Sequence, residues 1–330
     1  MKVIAYAVRD DEMPLFDKWG KHYDIETTIV KENLNENNIQ LAAGFDSIIF
    51  LAEDTMNKNV LDKIKSMNID YIVSRSVGVD NVDFTHANKL GIKVANIPGY
   101  SPNSVSEYAL LSTLALLRKY NLYIKRVQMQ DFRIKGLIAK EIRNQVVGIV
   151  GAGRIGSLTV KHFSGFFPKK ILIFDNFQND ELKKYAEYVS MNEIYKECDI
   201  IVYHVPLIEE TKYLIRKENI DKMKNGVFII NVSRGKVMNT ADVIDALKSG
   251  KIGGAAIDVY ENELPYFRFD KRETFIEDDM LRELLSIPNA IVTPHAAFYT
   301  DEAASNMVSV SLKNAREFYD TGNCSNIIKV

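Results

Sequence analysis

Residues 146–156 read VVGIVGAGRIG. An apolar run passes directly into three glycines, Gly151, Gly153 and Gly156, and a helix-like stretch follows. The order predicts strand, tight turn, helix. Gly151 makes the turn, Gly153 leaves the backbone open to a pyrophosphate, and Gly156 lets the helix close on the strand. A helix starting here offers unpaired N–H groups and a positive dipole end to phosphates. The next apolar run, ILIFD, ends on Asp175, 19 residues past Gly156. A carboxylate there accepts hydrogen bonds from ribose hydroxyls and repels a 2′-phosphate, and no arginine follows in DNFQND. The stretch therefore points to NAD(H) in preference to NADP(H).

The same rhythm extends to both sides. Downstream, strand-like runs recur at 171–175, 199–205, 226–232, 254–260 and 290–295, mostly separated by helical patterns such as DVIDALKSGK, which stops at Gly250. Upstream, five apolar runs (2–8, 24–30, 46–52, 71–76 and 92–97) alternate with four helix-like stretches. Asn or Asp opens several of these and Gly closes three, as caps do. Alternation of this kind predicts parallel sheets covered on both faces. The first hundred residues thus make a flavodoxin-like unit, and PGYSPNS at 98–104 marks a boundary. A long helix is expected at about 104–119 and a last one at about 301–319, whose destination the pattern does not give.

Composition narrows the class. The chain has 330 residues, enough for two domains, with 46% hydrophobic and 26% charged residues and a formal net charge of -2. That balance gives no sign of a nucleic-acid or membrane partner. The apolar run 108–117 is short for a bilayer span and ends in Arg118 and Lys119. The N-terminal run is not that of a signal peptide, so a cytoplasmic protein is expected. Two cysteines, Cys198 and Cys324, give neither a disulfide framework nor a metal-ligand spacing. No metal is expected.

Ligands of open α/β sheets bind beyond the carboxyl ends of the strands. Three polar groups follow three late strands: Ser233, Arg234 and Gly235 after GVFIIN; Asp258, Glu261 and Glu263 after GAAI; His295 after AIVTP. Singly, each reads as an ordinary surface charge or a satisfied histidine. Beside a nicotinamide they suit reduction of a 2-oxo acid. A guanidinium grips a carboxylate at two points and polarises the ketone. An imidazole delivers a proton to the forming alkoxide, and a carboxylate bonded to it keeps it oriented and charged. Arg234, His295 and Glu263 fit those roles.

These residues also carry a resemblance. GAGRIG, Asp175, HVP at 204–206, NVSRG at 231–235, DVYENE at 258–263 and TPHAAFYT at 293–300 resemble the D-2-hydroxyacid dehydrogenase family. AYAVRDDE, SRSVGVDN and PGYSPNSVSEYA are similar to its NAD-dependent D-lactate dehydrogenase branch. The resemblance implies two Rossmann-like and flavodoxin-like doubly wound domains, the cofactor domain (101–299) being inserted into the substrate domain (1–100 with 300–330). It implies a homodimer through the 104–119 helix. It assigns Arg234 to the substrate carboxylate and carbonyl, His295 to acid/base work and Glu263 to its support. Val77 and Gly78 would offer amide N–H groups to the carboxylate, and Tyr100, Leu51 and Phe298 would line the pocket. Gly151, Gly153, Arg154, Ile155, Gly156, Asp175, His204, Val205, Pro206, Asn231, Ser233 and Asp258 would hold the cofactor. Leu51 aligns where some lactate enzymes carry a bulky aromatic, so larger 2-oxo acids than pyruvate could fit. Reduction of pyruvate to D-lactate is the leading expectation. A preference for larger 2-oxo acids, or an NAD(H)-sensing, corepressor-like binding protein, stands beside it.

Overall fold

The computed structural model describes residues 1–329. Two units divide the chain: Met1–Ser101 with the segment from Tyr299 onward, and Pro102–Phe298.

The first unit begins with β1 (Lys2–Ala5), α1 (Met13–Tyr23), β2 (Glu26–Ile29), β3 (Ser47–Phe50), α2 (Lys58–Ser66), β4 (Tyr71–Ser74), α3 (Phe84–Leu90) and β5 (Lys93–Ala95). Its sheet is parallel with order β2-β1-β3-β4-β5, the flavodoxin-like arrangement. Successive residues of a strand face opposite sides. Ile4, Ile48, Phe50, Ile72 and Val94 therefore meet α2 and α3 through Val60, Leu61, Ile64 and Ala87. Val3, Ala5, Ile49, Val73 and Ala95 face the other side, with Phe16 of α1. Asn57 and Asp83 cap α2 and α3 by accepting from Val60 N and His86 N, and Gly91 ends α3 at φ +70°. Of the four helix-like stretches between the strands, NENNIQLAAG at 35–44 forms only a single 3-10 turn, Ile39–Ala42. Asn35 and Asn38 bond neighbouring backbone instead, Asn35 N donating to Asn38 Oδ1 at 2.8 Å and Asn37 N to Asn35 Oδ1 at 2.8 Å, which competes with helix.

A buried ion pair locks the carboxyl end of this sheet. Arg75 and Glu12 are both fully buried. Arg75 donates to both Glu12 oxygens at 3.2 Å, to Tyr6 O at 3.2 Å and to Ala7 O at 2.9 Å. Removing one partner of such a pair costs about 3–5 kcal/mol.

The second unit opens with α4 (Pro102–Leu117) and α5 (Tyr120–Gln128), continues through β6 (Val146–Val150), α6 (Arg154–Ser164), β7 (Lys170–Phe174), β8 (Glu187–Tyr188), α7 (Met191–Glu197), β9 (Ile200–Tyr203), α8 (Lys217–Ile220), β10 (Val227–Asn231), α9 (Thr240–Ser249), β11 (Ile252–Ile257) and α10 (Asp279–Ser286), and closes on β12 (Ala290–Val292). Its parallel sheet runs β12-β11-β10-β9-β6-β7-β8, the doubly wound order with the chain reversing direction beside β6. One face packs on α7, α9 and α10 through Ile194, Tyr195, Val243, Ile244, Leu247 and Leu284. Cys198 lies in that core, and burial pushes its thiol up to about 12. The helix expected at 104–119 stops at Leu117, because Lys119 takes a left-handed conformation at φ +53° before α5.

The last helix, α11 (Asp301–Thr321), belongs to the first unit. It starts on Thr300, whose side chain accepts from Ala303 N, and ends at Gly322 with φ +68°. Val308, Leu312, Ala315 and Phe318 complete the core beneath β1, β3, β4 and β5. Phe318 stacks on Tyr71 with ring centroids 4.9 Å apart.

Candidate active site

The glycine turn is built as its spacing implies. Gly151 has φ +90°, and a Cβ on it would lie 2.5 Å from His204 O. A Cβ on Gly156 would lie 1.9 Å from Gly151 O, so α6 rests directly on the turn. A Cβ on Gly153 would meet no protein atom within 4 Å. The space over Gly153 is thus clear of protein at the N-terminus of α6, whose first residues are Arg154 and Ile155. Asp175 ends the adjacent strand and ties it to the turn: Oδ2 accepts from Ala152 N at 2.6 Å and Oδ1 from Phe177 N at 2.8 Å. Each carboxylate oxygen keeps a lone pair for a hydroxyl donor. These residues fit a dinucleotide.

The loop after β9 carries His204, Val205 and Pro206 beside this turn; the Val205 side chain would be 3.1 Å from a Gly151 Cβ. His204 Nε2 lies 2.9 Å from Thr159 Oγ1 of α6. Burial holds the His204 ring down at about 3, so it is neutral at physiological pH and serves as a fixed polar wall. Thr211 Oγ1 donates to Pro206 O at 2.6 Å.

Three neighbouring strands, β10, β11 and β12, deliver the polar triplet. After β10 the chain knots on Asn231, which is fully buried. Asn231 Oδ1 accepts from Ser233 N and Oγ at 3.1 and 2.8 Å, and its amide donates to Arg234 O at 3.0 Å. This fixes the Arg234 backbone, and Arg234 Nη1 donates to Ser233 O at 2.8 Å. After β11, the two glutamates of YENE part company. Glu261 accepts from Thr240 N at 2.7 Å, at the start of α9. Glu263 Oε1 meets His295 Nδ1 at 2.8 Å, and Oε2 accepts from Tyr260 N at 3.0 Å. Burial raises the Glu263 carboxyl, but the His295 hydrogen bond and charge, the Tyr260 N–H and Arg268 together outweigh it and leave it below its ordinary value. Glu263 is therefore an anion, an acceptor only, and His295 Nδ1 must carry a proton. Nε2 is then the nitrogen left to exchange a proton with a substrate.

His295 sits in the left-handed region at φ +54°, a conformation that costs a non-glycine residue of order 1 kcal/mol or more. Asp258 over-determines it. This carboxylate is 2% exposed and accepts from Thr293 Oγ1 at 2.6 Å, Ala296 N at 2.9 Å and Ala297 N at 2.9 Å, while His295 N donates to Asp258 O at 2.8 Å. Asp258 thus holds the histidine's turn in place, a part that its position after a strand did not reveal. Phe298 is 7% exposed and meets the His295 ring edge to face at 6.2 Å. Arg268 lies over the same Phe298 ring, 5.5 Å from its centroid. Tyr108 of α4 hydrogen-bonds Thr293, and burial raises its hydroxyl. Tyr108, Thr293 and Arg268 escaped sequence reasoning because their partners are remote in the chain.

The first unit carries four further positions. Leu51 follows β3 and is 4% exposed. Val77 and Gly78 follow β4, their carbonyls taken by Asn96 Nδ2 at 2.7 Å and Ser76 Oγ at 2.8 Å. Tyr100 follows β5, its carbonyl accepting from Asn306 of α11 at 2.8 Å. Among the described residues no cluster of three or more His, Cys, Asp or Glu could hold a metal ion, and no helix is long and apolar enough to cross a membrane.

Residues 110–297 match the family model described as D-isomer specific 2-hydroxyacid dehydrogenase, NAD binding domain. The chain belongs to the D-isomer specific 2-hydroxyacid dehydrogenase family. Similarity to dehydrogenases of this family spans the whole chain. It is 46% identical over 326 residues to an aromatic 2-oxoacid reductase of Clostridium sporogenes, covering 99% of this chain and 98% of that one. It is 39% identical over 331 residues to a D-lactate dehydrogenase of Lactiplantibacillus plantarum, covering 100% and 99%. The solved structure of a D-2-hydroxyisocaproate dehydrogenase superposes with a TM-score of 0.89 at 35% identity, covering 99% of each chain. As a dehydrogenase of this family the protein is an oxidoreductase, its cofactor is NAD(H), and its substrates are small 2-hydroxy and 2-oxo acids.

Proposed function

We propose that this dehydrogenase reduces 2-oxo acids with bulky apolar side chains, aromatic or branched, to the D-2-hydroxy acids, in preference to making D-lactate from pyruvate. The observation that carries the reading is Leu51, an aliphatic side chain at the end of β3, where some lactate enzymes carry a bulky aromatic. A smaller wall leaves room for a larger substrate. The 46% identity to an aromatic 2-oxoacid reductase supports it.

Bound NADH supplies the hydride to the carbonyl carbon. The rest of the chemistry falls to this chain's residues. Arg234 binds the substrate carboxylate and polarises the ketone, with the Val77 and Gly78 amides also assigned to the carboxylate. His295 delivers its Nε2 proton to the oxygen that becomes the hydroxyl. Glu263 keeps the ring oriented through its bond to Nδ1. Leu51, Tyr100 and Phe298 are the residues we assign to the substrate's side chain. Gly151, Gly153, Arg154 and Ile155 would cradle the pyrophosphate, with Gly156 letting α6 rest on the turn; Asp175 would take the adenosine ribose, and His204, Val205, Pro206, Asn231, Ser233 and Asp258 would bound the rest of the cofactor.

The test is NADH consumption by the purified protein over pyruvate, 4-methyl-2-oxopentanoate and phenylpyruvate, with chiral analysis of each product. D-products with kcat/KM highest for a bulky acid are expected. Leu51→Tyr should move the preference toward pyruvate by roughly tenfold, the scale of a few methylene contacts. Pyruvate outcompeting both bulky acids would refute the size reading. NADH binding with no turnover would favour the sensing protein. We also propose a homodimer through the α4 face, where Leu110, Leu111, Leu114 and Phe166 line an open apolar hollow with Glu107 and His162.

A further inference from the structure

The segment that carries Leu51 is held by an unusual fastening. Leu51 N donates to Asp54 Oδ2 at 2.6 Å, and Leu34 N donates to Asp54 Oδ1 at 2.8 Å. The Asn81 side-chain amide then donates to both Leu51 O, at 3.1 Å, and Asp54 O, at 2.8 Å. Asn81 stands three residues after Gly78, in the loop that follows β4. The Asn81 amide therefore joins two loops leaving adjacent strands, β3 and β4, and the Asp54 carboxylate sets the first of these loops against Leu34. One loop bears the proposed side-chain wall and the other the proposed carboxylate seat.

The fastening is costly. Asp54 is 2% exposed. No cation bonds it directly, because the Arg75 guanidinium is committed to Glu12 and to the carbonyls of Tyr6 and Ala7. A buried carboxylate held mainly by backbone N–H groups is an expensive way to close a turn. It does fix the backbone on both sides of Leu51.

We propose that Asp54 and Asn81 are specificity-determining positioning residues, which make the Leu51 wall and the Val77–Gly78 seat one rigid piece. This rests on the roles assigned to Leu51, Val77 and Gly78 above. It also gives the enzyme's substrate discrimination its own pH dependence. Burial pushes the Asp54 carboxyl up to about 7, against the two backbone N–H bonds and the more distant Arg75, with Glu53 adding to the rise. The groups around it are Tyr6 at the end of β1, raised to about 12 by burial and by Asp54 itself, Arg75 after β4 with its partner Glu12, and Glu53 in its own turn. Deprotonated, Asp54 accepts from both N–H groups. Protonated, one oxygen carries the O–H and the charge is gone, so the bond from Leu51 N or Leu34 N is no longer charge-assisted and weakens. The fastening holds above about pH 7 and loosens below it.

The experiment measures kcat/KM for phenylpyruvate and for pyruvate from about pH 5.5 to 8.5, in the wild type and in Asp54→Asn. The ratio of the two cancels titrations that both substrates share, those of the proton donor included. In the wild type the ratio should change by roughly tenfold across pH 7, through KM for the bulky acid. In Asp54→Asn it should sit near the low-pH value throughout, with KM for NADH unmoved. A wild-type ratio that is flat with pH overturns the proposal, whether or not the variant folds. So does a variant that keeps both the ratio and its pH dependence. If the wild type prefers pyruvate but the ratio still responds to pH and to Asp54→Asn, the size reading fails and the positioning role stands. No turnover on any 2-oxo acid overturns both.

Discussion

Gly156→Ala tests the architecture of the cofactor turn most directly. The added Cβ would stand 1.9 Å from Gly151 O and 2.9 Å from Gly151 C, against 3.4 Å or more for ordinary contact. Both sides of this clash are backbone, so no side chain can swing aside. The first turn of α6 must move off β6 by more than about 1 Å. Overpacking of this kind costs about 1–3 kcal/mol, more where nothing can yield; about 3 kcal/mol is expected here. For a unit of this size that lowers Tm by about 6–12 °C. The same displacement shifts the N–H groups that face the pyrophosphate, and misplacement by about 1 Å costs on the order of a hundredfold. Gly153→Ala is the contrast. Its Cβ meets no protein atom within 4 Å, so it should melt like the wild type and yet bind NADH more weakly, because the methyl group occupies the ligand's space. Thermal melts followed by circular dichroism and NADH fluorescence titrations read both variants. Gly156→Ala with a Tm within about 2 °C of wild type, or Gly153→Ala with unchanged NADH affinity, would refute the reasoning.

Glu263→Gln keeps the shape of the His295 contact and removes its charge. At neutral pH kcat/KM should drop by about 10²-fold with NADH binding intact; an unchanged kcat/KM would refute the pairing. The Glu263 carboxyl lies below its ordinary value of 4.5. Its contribution to stability is therefore complete above that pH and lost as pH falls through the folded value, so acid melts of the Gln variant should lose part of that dependence. For the proposed dimer, Leu111 is 60% exposed on α4, and Leu111→Glu should shift the protein to monomers in sedimentation velocity. A wild type that is monomeric at micromolar concentration would rule the dimer out.

Much of this was legible because the signals are local. The strands of the first sheet carry apolar runs bounded by Asn, Asp and Gly, and Asn57, Asp83 and Gly91 cap as their chemistry requires. Likewise, VVGIVGAGRIG encodes its turn in the spacing of three glycines. The misses are non-local or too short. β8 is two residues, Glu187 and Tyr188, with no apolar run, and exists because β7 offers it an edge. α5 buries none of its residues, so no stripe marks it. Pattern could not say that α11 returns to the first sheet, since any sheet face would accept its apolar stripe. In the candidate site, the SRG, ENE and PH segments were visible. Residue type alone does not separate Glu261 from Glu263 in ENE, and the family resemblance is what assigned Glu263 to His295; physically, a turn formed by Tyr260 and the strand 32 residues downstream decides which one reaches it. Asp54 and Asn81 passed unnoticed for the same reason. Their partners are backbone groups, and a sequence does not show where a carbonyl will point.

The return of α11 has a consequence for how the protein is born. Val3, Ala5, Ile49, Val73 and Ala95 leave the ribosome early, and Val308, Leu312, Ala315 and Phe318, which cover them, come last. Nearly two hundred residues of the second unit are made in between. At about 5–20 residues per second the wait is on the order of 10–40 s. Throughout it the first sheet is a half-finished layer with one oily face covered only in part, by α1, while the second unit is being completed. The nascent chain should therefore be a client for chaperones that hold its first hundred residues. A chain released after residue 300 should hold a unit competent to bind NADH beside one that is not yet folded.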